Sequence, residues 1–170
     1  SSDSGRYREA EKYIRKSIGL LEQFGAQNSP DYVRARIRLA SSLEDQGRYA
    51  ESVALGRTTL AKSIESFGEQ HALTAETLSI TAFTLNSMGR HAEALPLFEK
   101  TLAIHLAIHG EKHPSSQTAF NNVGYCLDFQ GKYSEARPFL QKSMDLCQEI
   151  WGEKSLKSAT AYDNLAYNAY

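Results

Sequence analysis

The 170-residue sequence is poor in most of the features that announce a function. Its net charge is only −1, whereas a dedicated nucleic-acid binder is usually basic, so no nucleic-acid partner is expected. No apolar run approaches the roughly 18 residues of a membrane span, and no integral membrane segment is expected. The opening Ser-Ser-Asp-Ser-Gly has neither a charged n-region nor an apolar h-region, so it does not read as a signal peptide. Cys126 and Cys147 are the only cysteines, too few for a disulfide framework. They are expected as reduced, half-buried thiols of a cytoplasmic protein, because a free cysteine packs as a small hydrophobe. There is no HExxH motif, no phosphate loop, no nucleophile elbow and no segment with strand character. The chain is therefore expected not to be an enzyme and to carry no cofactor.

What the sequence does have is a period. Gly5-Arg-Tyr-Arg-Glu-Ala, Gly47-Arg-Tyr-Ala-Glu-Ser, Gly89-Arg-His-Ala-Glu-Ala and Gly131-Lys-Tyr-Ser-Glu-Ala begin 42 residues apart. A fixed period of 20 to 50 residues is the mark of a solenoid. Each Gly permits the left-handed turn that ends a helix. The helix that follows (helix B) should span about 6–24, 48–67, 90–109 and 132–151, and each ends at a second glycine, Gly25, Gly68, Gly110 or Gly152. A short loop then leads to helix A, expected at about 31–46, 73–88, 115–130 and 156–170, with Pro30 and Pro114 at its start, where the missing N–H costs nothing. The expected domain is one array over 1–170, with units starting near 5, 47, 89 and 131 and the first and last repeats incomplete. It reads as a piece of a longer array or as an array without dedicated caps.

Small residues recur in two columns, Ala40, Ala82, Gly124 and Ala166 on helix A and Ala10, Ser52, Ala94 and Ala136 on helix B. These let the helices approach closely. Gly124→Ala should on this reading be tolerated. Leu39, Val123, Leu165, Tyr7, Tyr49 and Tyr133 are expected to fill the space around the columns. Glu9, Glu51, Glu93 and Glu135 should each lie in a first helical turn, where a carboxylate meets the positive end of the helix dipole. The first unit departs most, with Arg36 at an aromatic position and Gly56 at a large one, and its packing is expected to be looser.

With Phe120, Val123, Gly124, Leu127, Gly131, Tyr133 and Ala136 in the usual places, the pattern resembles the tetratricopeptide repeat. The usual repeat is 34 residues long. The longer period here, and residues 102–124 with Leu-Ala-Ile, His-Gly-Glu-Lys-His-Pro and Asn-Asn-Val-Gly, resemble the kinesin-light-chain type. The resemblance implies an all-α, right-handed superhelical solenoid of antiparallel helix pairs, about eight helices in all. It also implies a non-enzymatic scaffold that holds a peptide or protein on its concave face, as a cargo or cytoskeletal adaptor does. The alternative is a regulatory or sensor module of a larger signalling protein.

In that family helix A lines the concave face. The implied peptide-binding residues are Arg34, Arg38, Ser41, Phe83, Asn86, Asn121, Asn122, Tyr125, Asn164 and Tyr167. Asparagine is a poor helix former, so its recurrence on one face asks for a reason. Its amide can bond a peptide backbone, while Arg34 and Arg38 offer charge-assisted bonds to an acidic group. The bland alternatives are asparagines that bond neighbouring repeats and arginines on a solvated face. His105 and His109, one turn apart and close to Glu111 and His113, have a spacing that can hold Zn²⁺. But His113 recurs in the loop as His71, and His109 falls in the column of Phe24, Phe67 and Trp151, so no metal site is expected. The unpaired last helix, with Tyr162, Leu165, Ala166 and Tyr167, is expected to promote self-association.

Overall fold

A computed structural model describes the backbone of residues 2–168, and the side chains of residues 7–163 together with Leu165 and Ala166. Among the described residues there are eight helices and no strand. They are α1 (Ser2–Gln23), α2 (Pro30–Asp45), α3 (Tyr49–Phe67), α4 (Ala72–Ser87), α5 (His91–His109), α6 (Pro114–Phe129), α7 (Tyr133–Trp151) and α8 (Leu156–Asn168). The fold is an all-α helical repeat. Its boundaries fall within a residue or two of the expected ones, except that α1 begins earlier. Glu9 is therefore not in a first turn, whereas Glu51, Glu93 and Glu135 are. Glu51 and Glu93 also pair with the arginine that begins their helix, Arg48 at 2.7 Å and Arg90 at 2.7 Å.

The chain divides into two compact units, Ser1–Gly89 and Arg90–Tyr170. In both, the same local chemistry starts and stops the helices. Gly68 and Gly110, at φ 88° and 78°, hold a backbone conformation that a side chain would strain. Each helix A then begins on a cap. Ser29 Oγ accepts the Tyr32 N–H, His71 Nδ1 accepts the Leu73 N–H, His113 Nδ1 accepts the Ser115 N–H, and Ser155 Oγ accepts the Ser158 N–H. A second staple repeats across the loop. The hydroxyls of Thr74, Ser116 and Ser158 donate to the carbonyls of Gly68, Gly110 and Gly152, at 2.8, 2.6 and 2.7 Å. All three side chains are buried, so the bond satisfies two groups that would be costly to leave unpaired.

Within unit 1, α2 lies against α1, α3 and α4. The small columns meet where they should: Ser52 is 1% exposed and donates to the Ala40 carbonyl at 2.8 Å. Gly56 overturns the expectation of looseness. A Cβ built there would stand 2.3 Å from Thr81 Oγ1, so the backbone is tightly covered. Within unit 2, α6 packs on both α5 and α7. A Cβ at Gly124 would meet Leu140 Cγ and Cδ2 at 2.7 Å and its backbone nitrogen at 3.2 Å. Tolerance of alanine at Gly124 is therefore also corrected. The tyrosines fill less than expected, Tyr7 and Tyr133 being exposed, because they sit at or near the outer turns of their helices. Leu39 and Val123 are buried as expected, and Leu165 is partly buried against Met144, Cys147 and Ala161. In α1 and α8 the small-column residues Ala10 and Ala166 are exposed.

The cysteines are free and more fully buried than expected. Cys126 Sγ donates to the His91 carbonyl at 3.4 Å. Burial pushes its thiol above the usual cysteine range.

Candidate functional site

Helix periodicity puts every third or fourth residue of a helix A on one face, and the structure leaves one such face accessible in each unit. In unit 1, α2 and α4 are neighbours, joined by Ser87 Oγ donating to Glu44 Oε1 at 3.1 Å. Along α2 run the exposed Arg34 and Arg38 and the half-buried Ser41; along α4 run the exposed Phe83 and the half-buried Asn86. Arg34 lies 3.5 Å from Asp31, one turn back, with both side chains well exposed, a pair that contributes little energy. Burial raises the Glu44 carboxyl above its usual range, against the bond from Ser87. The face therefore carries two accessible guanidiniums and an exposed aromatic ring.

In unit 2, α6 and α8 border a cavity of about 220 Å³. Gln117, Thr118 and Asn121 supply the wall from α6, and Lys157, Thr160 and Ala161 the wall from α8, with Cys147 below. Gln117 is nearly buried and fixed, donating to Ser143 Oγ at 2.8 Å. Lys157 is held over the Trp151 ring at 4.1 Å from its centroid. Asn122 is half-buried one residue on. Further along α6, Tyr125 meets Phe129 edge-on, centroids 4.6 Å apart, and Phe129 stacks on His91 at 5.1 Å. The face thus offers amides, hydroxyls and one cation beside an exposed aromatic ladder. Those are the groups that would pair with an extended backbone and receive its apolar side chains.

Of the sequence-derived residues, the structure brings together Arg34, Arg38, Ser41, Phe83 and Asn86 in unit 1, and Asn121, Asn122 and Tyr125 in unit 2. The side chains of Asn164 and Tyr167 lie outside the described residues. Sequence reasoning missed Gln117, Lys157 and Phe129. Gln117 had a signal: it is the one polar side chain in the column of Val33, Ala75 and Ala159. Phe129, four residues after Tyr125, and Lys157, seven before Asn164, had the helical spacing itself as their signal.

The histidines form a stack and not a ligand set. His105 and His109 lie 5.7 Å apart between ring centroids, and His109 and His113 lie 4.1 Å apart. Among the described residues no group of three His, Cys, Asp or Glu is arranged to hold a metal ion. His105 is half-buried, with Nδ1 bonded to nothing. Burial, and then the neighbouring His109 and His113, hold its pKa below the ordinary histidine value of about 6.5. Below that value the unfolded chain takes up the proton before the folded one does, so stability falls with pH. Thermal melts between about pH 7.5 and pH 5 should show a decline that His105→Gln flattens; a variant with an unchanged profile would remove His105 as the cause.

A family model described as tetratricopeptide repeat matches residues 31–104 and 78–149. Solved structures agree in fold. A Podosopora anserina protein with nearly identical TPR-like repeats, provisionally named a kinesin light chain, is 17% identical with a TM-score of 0.82, covering 98% of this chain and 79% of its own. BtubC (BKLC) from P. vanneervenii is 20% identical with a TM-score of 0.80, covering 100% and 66%. A TPR-like protein of Chlorobium tepidum TLS, ct2138, is 20% identical with a TM-score of 0.62, covering 81% and 94%. No curated protein matches the chain.

Proposed function

We propose, from the premise that this chain belongs to the tetratricopeptide repeat family, that it is a scaffold binding an extended peptide segment of a protein partner on the accessible faces of its A helices. The observation that carries this reading is the cavity bordered by Gln117, Thr118 and Asn121 on one side and Lys157 and Thr160 on the other. Its lining mixes polar and apolar surface, it is open, and at about 220 Å³ it is too small for a folded domain but of the size of a side chain with its backbone. Tyr125 and Phe129 prolong it with apolar surface, being 41% and 50% exposed. The kinesin-light-chain name carried by the Podosopora anserina protein supports a cargo or cytoskeletal adaptor role. No helix of the described residues is long and apolar enough to cross a membrane.

The test is the double variant Asn121→Ala/Asn122→Ala. Each net hydrogen bond contributes about 0.5–1.5 kcal/mol, so removing two should weaken a captured partner by roughly five- to a hundredfold. The melting temperature should shift by only a few degrees. If the variant unfolds while affinity per folded molecule is preserved, the asparagines serve the stack, and the partner must be sought around Arg34, Arg38 and Phe83.

A further inference from the structure

The first repeat breaks its own pattern at two linked positions. Arg36 stands where the following repeats have Leu78 and Phe120, and Glu22 stands where they have Ile64 and Leu106. Arg36 lies two residues, about 200°, round the helix from Arg34 and Arg38, so it belongs to a different face. In unit 2 the corresponding space is filled by Phe120 against Phe139, ring centroids 6.4 Å apart. In unit 1 it is open, a cavity of about 330 Å³ between α1, α2 and α3. Its apolar lining is Ile18, Leu39 and Leu55, and Gly19 leaves the α1 wall bare.

Its polar lining is unusual. Arg36 donates through Nε to Thr59 Oγ1 at 2.9 Å, through Nη1 to Tyr32 Oη at 3.2 Å and through Nη2 to Thr58 Oγ1 at 2.6 Å. All three acceptors are neutral hydroxyls. A guanidinium has five N–H groups, so one on each terminal nitrogen remains to be given. Tyr32 Oη in turn donates to Glu22 Oε1 at 2.9 Å, which leaves Glu22 Oε2 as an acceptor. The other cation at the rim, Arg15, is already taken by Glu11 at 2.8 Å. The cavity therefore presents one guanidinium bonded only to neutral hydroxyls, a second, Arg15, already paired with Glu11, and one carboxylate, with the Tyr32 hydroxyl between Arg36 and Glu22, above an aliphatic floor.

We propose that this cavity binds a free aliphatic α-amino acid, with its carboxylate on Arg36, its ammonium on Glu22 and its side chain on Ile18, Leu39 and Leu55. A simple anion would leave the Glu22 carboxylate without a partner. A purely apolar ligand would take the two charges out of water without partners, which is costly. A zwitterion with a branched alkyl group satisfies all three surfaces. The site is independent of the peptide-binding reading and involves none of its residues.

The test titrates L-leucine into the chain, followed by amide chemical shifts, alongside 4-methylpentanoate, which lacks the ammonium, and 3-methylbutan-1-amine, which lacks the carboxylate. Two variants accompany it. Arg36→Leu installs the residue type that the next repeat carries there, and Gly19→Leu grows into open space, since nothing lies within 4 Å of its Cβ. Either one suffices should the other not fold. Leucine should bind saturably, shifting Ile18, Gly19 and Leu55, and each variant or truncated ligand should lower affinity at least about tenfold, the value of one lost charge-assisted bond or the filled space. Partner capture should be unaffected by Arg36→Leu. An unsaturable response to leucine, equal binding by folded Arg36→Leu, or 4-methylpentanoate binding as tightly as leucine would each overturn the proposal.

Discussion

Gly124→Leu is expected to destabilise the chain by at least about 3 kcal/mol, the upper end of ordinary overpacking. The reason is the closeness of α6 to α7. At Gly124 even a Cβ would stand 2.7 Å from Leu140 Cγ and Cδ2, and 3.2 Å from the Leu140 backbone nitrogen. Leu140 is 2% exposed, and its neighbour in the same helix, Ala136, is 0% exposed, so the side chain has little space to move into. Leucine adds three more carbons at the same point and must push the helices apart. Gly124→Ala makes a finer measurement. Alanine gains up to about 1 kcal/mol of helix propensity but must displace Leu140, and the net expectation is a loss of about 1 kcal/mol. Denaturant melts should rank glycine above alanine above leucine. Leu140→Ala combined with Gly124→Ala should lose less than the sum of the singles, because the clash is then gone. A leucine variant that melts with the parent would mean that α6 and α7 do not meet at this point.

Gly56→Leu is the second large effect, expected at about 3 kcal/mol by the same mechanism. The obstacle here is polar. Thr81 Oγ1 would lie 2.3 Å from a Cβ at position 56, with Thr81 Cβ and Cγ2 at 3.3 and 3.4 Å. That hydroxyl is not free to swing away, since it donates to the Thr77 carbonyl of its own helix at 2.8 Å. Thr81 is 3% exposed, so rotating it strands a buried hydroxyl. Thr81→Ala should therefore rescue Gly56→Ala, with a coupling of about 1 kcal/mol or more in the double-mutant cycle. Strict additivity would show that the glycine is not there to admit the threonine.

These two glycines mark how far the sequence could be read. The period of 42, the helix starts and stops, and the small columns were legible because each is set by local chemistry. A glycine at positive φ, a proline at a helix start and a carboxylate in the first turn act over a few residues, and repetition makes them visible. The caps at His71 and His113 were not read from the sequence, because histidine lies outside the usual capping residues; only the recurrence of the two histidines in the loop was. Positions compared between repeats also exposed the departures at Arg36 and Gly56. What they could not reveal is what stands opposite.

Opposition across helices is a tertiary quantity, fixed by side chains far apart in sequence. Gly56 was read as slack because it is small; it is tight because Thr81 reaches into it. Arg36 was read as loose packing; it is a bonded guanidinium beside a cavity, because Tyr32, Thr58 and Thr59 supply hydroxyls and Leu55 stands where Phe139 stands in the later pair. The Asn121 face was drawn from helix periodicity, but its cavity exists only because α8 brings Lys157 and Thr160 alongside. The sequence by itself determined a four-fold helical repeat and the faces of its helices, because periodicity and capping are local. Only the tertiary structure decided which of those faces close on a neighbour and which stay open, because that depends on the summed volumes of residues that meet only after folding.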